Sequence, residues 1–290
     1  MPNAITLPKG YQTALDEVYR LASVTDDLTS DASDLMPTQN VNEFCYPQIE
    51  VGGLGNYDRA SGYTANSGVN LVWKTAKANY DRGTKITVDF VDNQETFDLA
   101  FGKAGATLMR DKVAPESDAF TFATLAGLTG ISIGAPATFA DGTAFLNGLL
   151  AAKNKMDEDE VPQEGRLLYA TFTLLNSVIA LDTTKSREAL QHFTVKQVPQ
   201  TRFYTAIDML DGKTTGEEAG HFKKATAGKD INFMVIHKPA IIKYDKHVAS
   251  DVIDPAVNTD SDAYISKYRK YGIVGCYENK RAGIYLSHKA

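Results

Sequence analysis

Between Tyr80 and Pro115 the chain reads YDRGTKITVDFVDNQETFDLAFGKAGATLMRDKVAP and changes its hydrophobic period without a loop. Ile86, Val88 and Phe90 alternate with Thr87 and Asp89, the two-residue repeat of a half-buried strand. From Phe97 the apolar positions are Phe97, Phe101, Ala104 and Leu108, the spacing of an amphipathic helix. Asp92 and Asn93 mark the change. The helical pattern meets Pro115 and resumes in SDAFTFATLAG. Proline inside a helix removes one hydrogen bond and kinks it; as a first residue it opens a second helix. Either way the pattern predicts a helical spine of about 30 residues.

Upstream, Leu15, Val18, Leu21 and Ala22 give residues 8–28 the pattern of a short amphipathic helix. Residues 26–43 are polar and acidic and contain Pro37, as in an extended arm. An ordinary surface helix and loop, or an arm that grips a neighbour, fits that stretch equally. YPQIEV predicts a strand, and Gly52–Gly68 is a Gly/Ser/Asn/Asp-rich loop. Val69, Leu71 and Trp73 then alternate with Asn70, Val72 and Lys74. These strands form a long β excursion that is poor at burying itself.

Downstream, residues 127–142 have a linker's composition. DGTAFLNGLLAAKNKMDEDEVP predicts a helix, RLLYATF a strand, TLLNSVIAL a helix and FTVKQVP a strand. INFMVIHKPAIIKYDKHV reads as two strands or one long bent one, and YGIVGCYENKRAGIYLSHK as a closing hairpin turning near Asn279–Gly283. Helices and strands are mixed without strict alternation, so the class is α+β.

Composition narrows the function. The 290 residues are 43% hydrophobic and 23% charged, which supports a packed core. The net charge of −6 argues against a dedicated nucleic-acid reader, though not against loose contact. Cys45 and Cys276 lie far apart, without disulfide-framework or zinc spacing, as expected for a reducing cytosol. No secretory leader is expected from MPNAITLPKG, and no apolar run has membrane-span length, so no membrane partner is expected.

Candidate chemistry is sparse. GISIG matches G-x-S-x-G with Ser132 in the nucleophile position, but a helix pattern precedes it where a strand is needed. Asn258, Asp260 and Asp262 take alternate positions of a calcium loop, yet Ala263 and Arg269 stand where glycine and glutamate are required. GLGNYD lacks the third glycine of a dinucleotide fingerprint. MDEDE reads as a solvated helix end. The histidines, His237 and His247 among them, have no metal-binding spacing. No catalytic residue, metal ligand or cofactor is expected.

The order of elements and several phrases carry more. NYDRASGY, WKTAKANYDRGTKITVDFVDNQET, EVPQEGRLLYATFTLLNSV, VPQTRFYTAI, INFMVIHKPAIIKY and YENKRAGIYLSHKA resemble major capsid proteins of tailed bacteriophages, in a branch from phages of Gram-positive hosts. That family has the fold named after phage HK-ninety-seven. The resemblance spans nearly the whole chain. It implies an N-terminal arm over 1–45 and an extended β loop over 46–91, lying on a neighbouring subunit. It implies a peripheral domain with the spine helix over 92–137 and 240–277. The axial domain then takes 138–239 and 278–290.

The resemblance further implies self-assembly into pentamers and hexamers of an icosahedral head, in the virion, after assembly in the host cytoplasm. Partners would be a separate scaffolding protein, a portal and a decoration protein, with non-specific contact to packaged double-stranded DNA. The family places its arm near the inner face, which makes Lys9 and Arg20 candidates for that contact. Tyr57, Asp58 and Arg59 on the loop, with Trp73 beyond it, are candidate subunit-interface residues. Some relatives seal the shell with a lysine on the loop; Gly52–Gly68 contains none, and Lys74 and Lys77 lie beyond it. Covalent sealing is therefore not expected. The alternatives are a nanocompartment shell of the same fold, like an encapsulin, and a serine hydrolase built on Ser132.

Overall fold

The computed structural model describes residues 23–30, 36–37, 43–63, 68–91 and 105–290. The expected helix positions Leu15 to Ala22, the arm residues Lys9 and Arg20, and Phe97 to Ala104 of the spine lie outside the described residues.

The core is a mixed five-stranded sheet. Strands β6 (Arg166–Thr171) and β10 (Ile231–His237) are buried from end to end. Such continuous apolar runs suit a sheet covered on both faces. The order is β5 (Ser132–Ile133), β13 (Ile284–His288), β10, β6, β7 (Thr194–Val198). Leu168, Ala170, Phe233 and Val235 point to one face, where they meet Phe145, Leu149 and Met156 of helix α2 (Gly142–Glu158) and Leu175 and Val178 of α3 (Phe172–Ile179). Tyr169, Met234 and Ile236 point to the other, against Phe122 and Leu125 of α1 (Ala114–Ala126) and against Leu28.

Asp141 starts α2 by accepting a hydrogen bond from the Ala144 amide at 2.8 Å. A Cβ on Gly142 would meet the Ser177 carbonyl oxygen at 2.2 Å, so only glycine lets α2 approach α3 there. A short helix α4 (Thr184–Gln191) follows, started by a reciprocal cap between Thr183 and Ser186.

A second sheet has the order β11 (Ile241–Ile253), β12 (Ala263–Cys276), β4 (Tyr80–Asp89), all antiparallel. Residues 90–91 are already helical, and Asp89 accepts from the Val91 amide at 2.9 Å, so the strand passes directly into a helical turn. Helix resumes within the described residues at 105 and continues to Ala126 through a π-helical turn, Met109–Val113. The Ala114 amide bonds the Met109 carbonyl. This wider register accommodates Pro115, which lacks an N–H and crowds the preceding turn. The spine thus carries Pro115 in the first turn of α1, directly after a π turn, which is close to the second of the two outcomes expected.

A third sheet joins β1 (Met36–Pro37), β2 (Glu43–Val51) and β3 (Val69–Lys77), and β8 (Ile207–Met209) pairs with β9 (Phe222–Lys224). The expected closing hairpin does not form. After β12 a 3-10 segment, Glu278–Gly283, carries the chain into the five-stranded sheet, where β13 pairs with β10. INFMVIHKPAIIKY resolves into two strands of different sheets, separated by a 3-10 turn at Lys238–Ala240. The segment after residue 22 docks through Asp118, fully buried in α1, whose carboxylate accepts from the hydroxyls of Ser23 (2.8 Å) and Thr25 (2.7 Å) and from Arg202 (3.1 Å).

Candidate subunit interface

Strands β2 and β3 form a ribbon in the register Val51↔Val69, Ile49↔Leu71, Pro47↔Trp73. Directly paired residues share a face. One face of the outer ribbon therefore carries Pro47, Ile49, Val51, Val69, Leu71 and Trp73. All six are exposed; Ile49 keeps 60%, Val69 70%, Leu71 52% and Trp73 50% of their surface. The opposite face carries Gln48, Glu50, Asn70 and Lys74 with Val72. Its inner end is different: Phe44, Tyr46 and Ala76 pack on Ile242, Ile273 and Tyr277, with the rings of Tyr46 and Tyr277 edge to face at 4.9 Å. Lys74 bridges to Glu278 at 3.0 Å, and that hydrogen bond raises its pKa and keeps the amine charged. The ribbon is thus fixed to the body by the root of one face and presents the outer half of the other to solvent.

Asn79 closes the root. Its side-chain amide donates to the Val274 carbonyl at 2.8 Å and its oxygen accepts from the Val274 amide at 3.0 Å, so one side chain imitates a strand pair between β3 and β4.

At the tip, the Gly52 amide bonds the Gly68 carbonyl. Asp58 and Gly62 exchange backbone bonds at 3.0 and 2.7 Å. The Asp58 carboxylate accepts from the Ala60 amide (2.9 Å) and the Ser61 hydroxyl (2.6 Å), and those bonds hold its pKa below the usual carboxylate range. Asp58 therefore organises its own turn. Arg59 is exposed and has no ion-pair partner among the described residues. Tyr57 and Tyr63 pack edge to face at 5.0 Å, and Leu54 is fully exposed. Pro47, Ile49, Val51 and Asn79 are additions that the site residues chosen from sequence missed. The alternation of Pro47, Ile49 and Val51 with Gln48 and Glu50 in YPQIEV was the available signal for the first three.

The remaining motifs have structural roles. Ser132 lies on the edge strand β5, followed by extended chain where a nucleophile elbow needs a helix, and its hydroxyl donates to Asp159 at 3.2 Å. The Asn258 side chain folds back on Ser261 and the Ala263 carbonyl. No cluster with metal-binding composition occurs among the described residues. MDEDE is not simply solvated: Asp157 pairs with Lys153 at 2.6 Å and with the buried Arg166 at 2.8 Å, which hold its pKa low. No helix among the described residues is long and apolar enough to cross a membrane.

This arrangement of a five-stranded sheet, a hairpin sheet joined by β4 and a projecting ribbon is an α+β fold of the kind seen in phage capsid structures. The capsid structure of cyanophage P-SCSP1u is similar at a TM-score of 0.59 and 12% identity, covering 93% of this chain and 88% of that one. A structure from Mycobacterium phage Che8 is similar at a TM-score of 0.62 and 11% identity, covering 92% and 90%. A virus-like particle from Pyrococcus furiosus is similar at a TM-score of 0.57 and 9% identity, covering 98% and 100%. At such identities the likeness is one of fold. No protein-family profile and no curated protein matches the sequence.

Proposed function

We propose that the chain is a major capsid protein of a tailed phage, assembling as pentamers and hexamers into an icosahedral head around double-stranded DNA. The observation that carries this reading is the bare apolar face of the outer ribbon, on a body whose own core is complete. Solvent-exposed apolar surface on a projecting element marks a contact with another chain. A neighbouring copy is the partner that the fold favours. In this reading residues 1–45 are the arm and 46–91 the loop laid over a neighbour. Residues 92–137 and 240–277 make the peripheral domain, and 138–239 and 278–290 the axial one. Tyr57, Asp58, Arg59 and Trp73 touch that neighbour. Scaffolding, portal and decoration proteins are separate chains, and the assembled protein resides in the virion. The Gram-positive host branch rests on phrases of sequence alone.

Negative-stain imaging of the expressed chain tests the reading: closed shells or capsomers are expected. A lasting monomer at micromolar concentration, its ribbon protected from protease, would overturn it. Arg59→Ala should lower shell yield while leaving the subunit folded.

The fit over all of the Pyrococcus particle chain favours one second reading, a nanocompartment shell. Small particles loaded with protein cargo, in place of large heads, would select it.

A further inference from the structure

The segment from Ser23 to Ser30 lies across α1 and β11 and ties them together. Thr25, fully buried, sits at its centre. The Thr25 hydroxyl donates to the Asp118 carboxylate of α1 at 2.7 Å and accepts from the Lys243 ammonium of β11 at 2.6 Å. Lys243 also donates to the Thr25 carbonyl at 2.9 Å. Asp118 and Lys243 are themselves buried, so one hydroxyl joins an anion on a helix of the five-stranded sheet to a cation on the hairpin sheet. Asp118 further accepts from the amides of Val24 (3.1 Å) and Thr25 (3.2 Å). At the other end Ser30 adds itself to the edge of β11. Its amide donates to the Lys243 carbonyl at 2.8 Å, and the Lys243 amide donates to the Ser30 hydroxyl at 3.1 Å.

What holds the segment is mostly polar. Leu28 is its one buried apolar side chain, with Val24 partly buried beside it. When such a segment lifts away, its bonds to charged groups are exchanged for bonds to water, whereas a core strand such as β10 must expose apolar surface on both faces. The layers beneath have contacts of their own. Arg202 pairs with Asp118 at 3.1 Å, and Lys270 of β12 donates to Ser117 of α1 at 3.2 Å. Release of the segment therefore leaves both sheets standing, without the bridge between them.

We propose that residues 23–30 are a clasp that opens and closes as one unit, and that Thr25 is the positioning residue through which the closed clasp couples the helix layer of the five-stranded sheet to the hairpin sheet. The inference stands whether or not the chain builds shells. A partner acting on the chain ahead of Ser23 has in this segment a direct path to both sheets.

Hydrogen exchange at single-residue resolution on the full-length chain, corrected for intrinsic rates, tests this. Four amides bond across the clasp: those of Val24, Thr25, Ser30 and, within β11, Lys243. In the wild type they should share one protection factor, equal within about threefold and at least about a hundredfold below the β10 amides, as for a local opening. The Lys243 amide is the most informative, because a strand residue should then follow the segment and not its own ladder. Thr25→Val keeps the side-chain shape and removes the bridge; it should speed all four amides about tenfold, since bonds to charged groups are lost. Thr25→Ser should restore the wild-type rates. Protection of β10 checks that the variants fold, and the wild-type pattern decides without them. Four unrelated wild-type rates, exchange of all four only at the β10 rate, or a Thr25→Val effect confined to residue 25 overturns the proposal.

Discussion

Strand β10, INFMVIH, and strand β3, VNLVWKTAK, are both rich in apolar residues and end in opposite circumstances. Every residue of β10 is buried, with neighbours on both edges and both faces. In β3 no residue is buried, although Trp73 and Leu71 are as hydrophobic as anything in β10. The difference lies in what surrounds each strand. β10 sits where two helical layers, packed by the same chain, cover it. β3 is half of a ribbon whose inner end alone reaches the body. Apolar content therefore says that a surface needs covering, and topology says whether the chain can cover it unaided.

Mutations in the two regions should sort along that line when subunit stability is measured by chemical denaturation. The largest effect belongs to the completed side. Phe233, packed between Phe139, Phe145 and Tyr285, should cost about 3–5 kcal/mol as Phe233→Ala. A loss under about 1 kcal/mol would mean that this core is not the folding unit. Asn79→Ala, at the join between the regions, should cost about 1–3 kcal/mol, because the Val274 amide and carbonyl both lose their partner. Protease cleavage in the ribbon should accelerate with it.

A smaller effect comes with pH. Lys243 is fully buried, and desolvation, reinforced by Lys270, lowers its pKa to about 8. Below that pH the folded and unfolded chains both hold the proton, and the burial penalty is felt in full. Above it the folded state holds fewer protons than the unfolded one, so stability rises with pH toward the ordinary lysine value, by at most about 1.4 kcal/mol per pH unit. The window from about pH 8 to about pH 9 precedes most of the opposite effect of Cys276, whose burial pushes its thiol up to about 11. Lys243→Met should flatten the rise there, and an unchanged slope would contradict the assignment. Least affected in stability should be the ribbon pair Ile49→Asp with Leu71→Asp, within about 1 kcal/mol of wild type, because the change is confined to their own cross-strand pair on an exposed face. The same chain should fail to form shells, and normal shells from it would erase the contrast between the two strands.

What the sequence made legible follows from the range of the forces involved. α2, α3 and β7 were readable from a local period, with the Asp141 cap marking the start of α2, and β6 from a short continuous apolar run. The alternation of Val69, Leu71 and Trp73 marked a strand and its apolar face, yet periodicity is silent about what lies opposite. The partner of β4 is β12, far along the chain, and nothing local to Tyr80–Asp89 announces it. The false hairpin at the C-terminus has the same origin: β12 and β13 are adjacent in sequence and belong to different sheets. Asp118 was hidden within an ordinary helical run, and its role appears only when Thr25 is brought against it. At the tip, nothing in the sequence announces that the Asp58 carboxylate reaches Ala60 and Ser61 and shapes its own turn.

The join at Asn79 has a mechanical consequence. Between the ribbon and β4 there are only two residues, and β4 is then bonded to β12 along its length, from Tyr80↔Gly272 to Asp89↔Ala263. Hydrogen bonds in such a ladder lie across the strand direction. Tension applied to the ribbon along β4 therefore loads many bonds together in shear, instead of peeling them one at a time. The Asn79 side chain stands at the first point of that load. A ribbon anchored in this way, pulled along its length, passes the strain into the hairpin sheet of β11 and β12.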